Sequence, residues 1–205
     1  MPVSRIDVIE MLFGEGNEDV SAFASSKPLK HKPGTHYSYS SGDTNILSNI
    51  IARILLSKTT LPDTSENRQL VMRTFMQENL FKVLNYEVEP KPVFDNAGTW
   101  IGSSFCYCIA RDFARIGLLY LRNGIWDGTR IVPDGWVDRA RKSTSDHTNM
   151  PADDGPYNYG EHWWIWRDGD NDQLTKEESS YGIFSANGYG WYQALLLLIC
   201  ARQTF

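Results

Sequence analysis

Six aliphatic side chains, Ile46, Leu47, Ile50, Ile51, Ile54 and Leu55, recur at i, i+1, i+4, i+5, i+8 and i+9. That spacing gathers them on one stripe only if the backbone is an α-helix, so the stripe is expected to face a core. In front of it, Pro33-Gly34 marks a turn, and the next residues crowd His36, two phenols (Tyr37 and Tyr39) and a run of hydroxyls into the approach to the helix. Short polar side chains there can accept from the unpaired amides of a first helical turn, with Asp43 or Thr44 as the expected cap. The chain is therefore constrained to hold a polar loop at a helix entrance. By residue type alone, such a loop is ordinary capping and turn chemistry.

A length of 205 residues, with 41% hydrophobic and 13% aromatic content, is enough for a packed globular core. The net charge of -5 and the scattered lysines argue against a nucleic-acid partner. Cys106, Cys108 and Cys200 make an odd count without Cys-x-x-Cys spacing. Cys106 and Cys108, two apart in a strand-like segment, share a face and read as buried thiols rather than as a disulfide or metal site. His31, His36, His147 and His162 show no ligand spacing, so neither a metal nor a cofactor is expected. No run approaches the ~20 apolar residues of a membrane span, and the charged start does not read as a signal peptide. Location stays open, because a segment ahead of Met1 could carry an export signal.

Along the chain, helical spacing is expected over residues 6–13, a short turn over 19–24, and a second amphipathic helix over 70–83 with Leu70, Val71, Phe75, Leu80 and Val83 inward. Pro90 and Pro92 make 87–95 extended chain. Residues 113–121 read as a helix stopped by Asn123-Gly124, Asp127-Gly128 as a hairpin turn, and Pro133 as the opening of a short helix with Trp136, Val137 and Ala140. Residues 159–166 form an aromatic-rich strand with Trp163, Trp164 and Trp166. Its indoles either pack between sheet and helices or wall a substrate site.

The segment Pro33-Gly34-Thr35-His36-Tyr37-Ser38-Tyr39-Ser40-Ser41 resembles the second active-site motif of serine hydrolases of the β-lactamase and penicillin-binding-protein superfamily. Tyr39-Ser40-Ser41 takes the place of its Tyr-x-Asn or Tyr-x-Ser triplet. Collinear stretches strengthen the likeness: Gly98-Thr99-Trp100-Ile101-Gly102, Ala110-Arg111-Asp112-Phe113-Ala114-Arg115, Asn123-Gly124-Ile125-Trp126-Asp127-Gly128 and Ile131-Val132-Pro133-Asp134-Gly135-Trp136. The branch most resembled contains class C-like esterases and 6-aminohexanoate-dimer hydrolase. The resemblance implies an α/β fold of the α+β type, an antiparallel sheet flanked by helices plus a mostly helical subdomain. Residues 1–205 would be one partial domain, incomplete at both ends, with about 6–86 helical and about 93–200 part of the α/β subdomain.

The family's chemistry implies ester or amide hydrolysis through an acyl-enzyme, in which a serine attacks and a lysine and a tyrosine manage the proton. Tyr39 would be that tyrosine and Ser41 its hydrogen-bonding neighbour, with Tyr37 as a rival phenol. Tyr189, Gly190 and Trp163 would face substrate, Tyr189 aligning with the cationic or histidine position of the third motif. Trp191 stands where that motif has glycine, and likeness ends after Gly190. That ending, read as a frameshift or an aberrant terminus, is a question for the coding DNA. The nucleophile motif Ser-x-x-Lys is absent: the residues three before Lys27, Lys30, Lys32, Lys58, Lys82, Lys91, Lys142 and Lys176 include no serine. The chain is thus expected to be an inactive copy of a hydrolase of small ester or amide substrates, or alternatively a non-catalytic pseudoenzyme or truncated product with a binding role. Incomplete sheet edges would favour self-association.

Overall fold

The computed structural model of the chain describes residues 5–142, 159–165 and 184–186. The structure is mixed, about half helical, and its strands pair only as two-stranded antiparallel sheets, with no large sheet among the described residues. The chain divides into two compact units, residues 1–32 with 39–109, and residues 33–38 with 110–205. The expected loop 143–158, the polar insertion 168–180, Trp166, and the stretch from Tyr189 to Cys200 lie outside the described residues.

In the first unit, α1 (Arg5–Phe13) gives way at Gly14 to a 3-10 turn over Glu15–Glu18. Helix α2 (Val20–Ser25) follows, its first turn capped by the Asp19 carboxylate, which accepts from the Ala22 amide at 2.8 Å. Helices α3 (Ser41–Ser57) and α4 (Ser65–Met76) come next, and α4 passes directly into a π-helical turn, Gln77–Phe81. Strands β1 (Lys91–Pro92) and β2 (Cys106–Tyr107) pair with Lys91 opposite Tyr107 and Pro92 opposite Cys106.

Helix α3 forms where its periodicity requires, but four of the six stripe residues face away from the core, Ile46 being half-buried and Leu55 packed against a core cluster. Leu47, Ile50, Ile51 and Ile54 are between 41% and 52% exposed, whereas Asn45, Ser48, Asn49, Ala52 and Leu56 are buried. The reason is a hydrogen-bonded partner on the polar side. The Asn49 amide donates to the Thr99 hydroxyl at 3.0 Å, and the Asn45 side-chain oxygen accepts from the Ser103 amide at 3.3 Å. Buried amide side chains are tolerated when satisfied in this way and are costly otherwise. Close approach helps: a side chain at Gly42 would press against Ala24 at 3.0 Å, and one at Gly102 against Ser48 at 2.5 Å.

What presents Thr99 is a turn closed by Asp95. The buried Asp95 carboxylate accepts from the Thr99 amide at 2.6 Å and from the Val20 amide, at the start of α2, at 2.9 Å. The turn also needs Gly98, whose φ of +86° is disfavoured for other residues and whose missing Cβ leaves room for the Ser65 backbone. From Asn49 the polar chain continues outward. Arg53 donates to the Asn49 side-chain oxygen at 2.7 Å and pairs with Asp63 at 3.6 Å; Arg68 binds Asp63 at 2.5 Å and donates to the Ala97 carbonyl at 3.2 Å. One network therefore links the starts of α2 and α4, the 95–99 turn and the middle of α3.

Apolar packing flanks that network. Met11, Leu12, Val20 and Ile101 form one cluster, and Ala52, Met72, Met76 and Phe81 another. Of the residues expected inward over 70–83, Leu80 packs against the second cluster and Val71 and Val83 are half-buried, but Leu70 and Phe75 are exposed, and Met72 and Met76, four apart, are buried. The flexible thioethers suit an irregular gap beside a helix whose inward face is largely polar.

In the second unit, α5 (Ala110–Leu121) buries Asp112, which pairs with Arg115 one turn on. The helix stops where Asn123 and Gly124 both turn left-handed (φ 51° and 78°), with the Gly124 amide bonded to the Leu119 carbonyl at 2.8 Å. Asp127 and Gly128, also left-handed at 46° and 78°, join β3 (Ile125–Trp126) to β4 (Thr129–Arg130). Helix α6 (Trp136–Ala140) starts after Gly135, later than Pro133 suggests, because Gly135 takes a φ of 73° that breaks the helical run. Among the described residues of the expected aromatic strand, β5 (Trp164–Ile165) pairs antiparallel with β6 (Phe184–Ser185) beside a core of Ala140, Trp163 and Phe184, and Tyr159 makes a single bridge to Trp164. Among the described residues no helix is long and apolar enough to cross a membrane.

The orientation of α3 is directly testable by urea denaturation. Ile50→Gln and Ile54→Gln should each change stability by less than about 0.5 kcal/mol, as outward positions do. Ala52→Gln, which forces a polar chain into the Met72 cluster, should cost about 2 kcal/mol or more. The opposite ranking would mean that the aliphatic stripe is the buried one.

Candidate functional site

The entrance of α3 is built by Ser40. Its backbone is extended and its hydroxyl accepts from the Asp43 amide at 3.2 Å, so Ser40, rather than Asp43 or Thr44, is the cap, and the helix begins at Ser41. The reason is register: helical geometry starts at Ser41, five residues ahead of the first stripe residue Ile46, leaving Asp43 in the first turn, where its charge suits the positive end of the helix. Thr44 lies inside the helix, its carbonyl accepting from the Ser48 hydroxyl at 3.1 Å.

Tyr39 immediately precedes this cap and is 47% exposed. The protein around its ring pushes the phenol above its ordinary pKa, because a phenolate there would lose hydration. Ser41 is the first helical residue and is half-buried. Tyr39 and Ser41 thus lie one residue either side of the cap, in the first unit. Tyr37 falls in the second unit, where its ring lies 6.4 Å from that of Tyr159, itself edge-on to Trp164 at 4.9 Å. Of the two phenols, Tyr37 has an aromatic neighbour and is half-buried, while Tyr39 has the more open ring.

Trp163 also belongs to the second unit. It is 6% exposed, with the Tyr120 ring at 4.6 Å and the Phe184 ring at 4.9 Å. Its surroundings are those of a core indole, the packing alternative raised by the sequence. Tyr189 and Gly190 lie outside the described residues. A concavity of about 390 Å³ in the first unit is lined by Gln77, Phe81, Lys82, Asn85, Tyr86 and Pro90 among others, and includes neither Tyr39 nor Ser41. Among the described residues no group of three or more His, Cys, Asp or Glu is arranged to hold a metal ion.

Two features escape a reading by periodicity. The Asn45–Asn49 pair, four apart on α3, supports the loop entrance from below, and an i, i+4 amide pair inside an aliphatic helix was the available signal. The second is the side-by-side placement of Cys106 and Cys108, whose sulfurs are 4.0 Å apart. They share a face as their spacing requires, but both are half-buried rather than enclosed, because among the described residues β2 pairs on one side only and for two residues. Neither the models of known protein families nor the curated proteins give a match to this chain.

Tyr39 supplies a pH prediction. A phenol held above its ordinary value keeps its proton more tightly in the folded chain than in the unfolded one. Its contribution to stability is complete below the unfolded value of about 10 and is lost as pH rises through the folded value. The ultraviolet difference titration of wild type minus Tyr39→Phe should therefore show ionisation above pH ~10. A midpoint below that value would mean that a cation activates the phenol.

Proposed function

We propose that this chain carries the tyrosine element of a serine hydrolase related to the β-lactamases and penicillin-binding proteins, acting on small esters or amides. The observation that carries the reading is the half-exposed phenol of Tyr39 set beside the capped start of a 17-residue helix. A catalytic phenol needs this combination: access to substrate, and a rigid element behind it that fixes the oxygen. Ser40 fastens the backbone at that point, and the Asn45 and Asn49 contacts hold the helix to the 95–103 segment. Ser41, on the next turn of backbone, would steady the phenol by hydrogen bonding. Tyr189 and Gly190 remain the substrate-side residues of this reading, from which Trp163 drops out as a core indole of the second unit, and the fold proposed with it is the α+β arrangement of that superfamily.

The attacking serine would come from a Ser-x-x-Lys motif, which these residues do not contain. In the reaction the serine hydroxyl adds to the carbonyl carbon, its proton passes to the lysine and tyrosine pair, and the tyrosine returns a proton to the leaving group. An ammonium beside Tyr39 would lower its pKa; burial here raises it. The lack of a Ser-x-x-Lys among these residues favours a second reading, a non-catalytic relative in which the loop survives as a binding element for a small ester or amide.

The coding DNA on the 5′ side and an activity assay separate the two. If a Ser-x-x-Lys is encoded there, a polypeptide that includes it should take up a fluorophosphonate at that serine and hydrolyse p-nitrophenyl acetate. Tyr39→Phe should then lower kcat by about 10²- to 10⁴-fold. The 205 residues alone should do neither above background. Absence of any such motif would leave the binding reading, and Tyr39-dependent hydrolysis by the 205 residues alone would overturn the inactivity of this chain.

A further inference from the structure

Phe105 takes a left-handed backbone turn (φ 58°), with its ring edge-on to Phe13 at 5.7 Å, and leads the chain into β2. Non-glycine residues adopt this conformation rarely and mainly where the surrounding structure fixes it. Its effect is to aim the next three residues: Cys106 pairs opposite Pro92, Tyr107 points to the other face and is exposed, and Cys108 returns to the face of Cys106 just past the paired segment. The two sulfurs lie 4.0 Å apart, in hydrogen-bonding contact, and both residues are partly open to solvent. Two thiolates alone do not complete a tetrahedral zinc site, and no third ligand joins them among the described residues. Two adjacent thiols on partly exposed residues are, however, what thiol–disulfide exchange needs: one to attack and one to resolve.

We propose that Cys106 and Cys108 form a dithiol site that exchanges with low-molecular-weight disulfides and closes to an intrachain disulfide. The Cys106 sulfur attacks one sulfur of a disulfide RS–SR, forming a mixed disulfide and releasing RS⁻. Cys108, giving up its proton, attacks the Cys106 sulfur and expels the second RS⁻. The two protein thiols are oxidised, the small disulfide is reduced to two thiols, and the two protons finish on the departing sulfurs. Closure requires the sulfurs to approach from 4.0 Å to about 2.05 Å. Cys108 lies beyond the last ladder pair, so this movement leaves the β1–β2 pairing in place. The order of attack follows from position: Cys106 is fixed in the β1–β2 ladder opposite Pro92, whereas Cys108 lies just past it and can swing onto the Cys106 sulfur to resolve the mixed disulfide. Contact with Cys108 also lowers the pKa of the Cys106 thiol, against the opposing effect of burial.

The test uses the full chain carrying Cys200→Ser and excess oxidised glutathione, followed by intact and peptide mass spectrometry. The expected product is two hydrogens lighter, carries no glutathione, and has its bond mapped to Cys106 and Cys108. Adding Cys108→Ser should trap one glutathione on Cys106, and adding Cys106→Ser should slow capture at least tenfold. The folded Cys200→Ser protein is itself the reference, so a variant that fails to fold does not decide the matter. Two glutathiones on one chain, equal capture rates in the two single variants, or thiols that react only after denaturation would each overturn the proposal.

Discussion

The carboxylate of Asp95 is the point from which the first unit is organised. It is buried and accepts two backbone amides, that of Val20 at the start of α2 and that of Thr99 across its own turn. Burial raises its pKa while those amide bonds pull the other way, and the first effect is the larger. A buried carboxylate in this position is tolerable only because its lone pairs are satisfied by fixed donors. By closing the 95–99 turn it offers the Thr99 hydroxyl to Asn49, and that bond determines which side of α3 faces inward.

From this follows the arrangement of the loop ahead of α3. A helix held by its middle through Asn49, and near its start through Asn45, has a defined entrance, and the Ser40 cap fixes the last step into it. Tyr39 inherits its position from that cap. Leu47, Ile50, Ile51 and Ile54 of the same helix stay outward because their side of the cylinder is opposite the amides. A wide apolar stripe and a buried polar stripe coexist on one helix, and hydrophobicity alone does not rank them.

That difference explains what was legible beforehand. Local chemistry was readable: the Asn123-Gly124 stop and the Asp127-Gly128 hairpin both depend on left-handed backbone conformations that those residues favour. The existence of α3 and α4 was readable from their period. Their facing was not, because it rests on contacts 50 and 58 residues apart in the chain, Asn49 with Thr99 and Asn45 with Ser103. For the candidate site, the loop and its phenol could be named from the sequence, whereas the role of Ser40 and the adjacency of Cys106 and Cys108 required geometry. The family resemblance rests on motifs and their order, and it supports a hydrolase reading as a proposal.

The bond between Asn49 and Thr99 is the most direct place to test this account. A double-mutant cycle with Asn49→Ala and Thr99→Val, singly and together, followed by urea denaturation, measures it without disturbing the backbone bonds of Asp95. A coupling energy of about 1 kcal/mol is expected for a buried side-chain hydrogen bond that fixes the facing of α3. Additive effects within about 0.3 kcal/mol would contradict it and return the polar face of α3 to solvent.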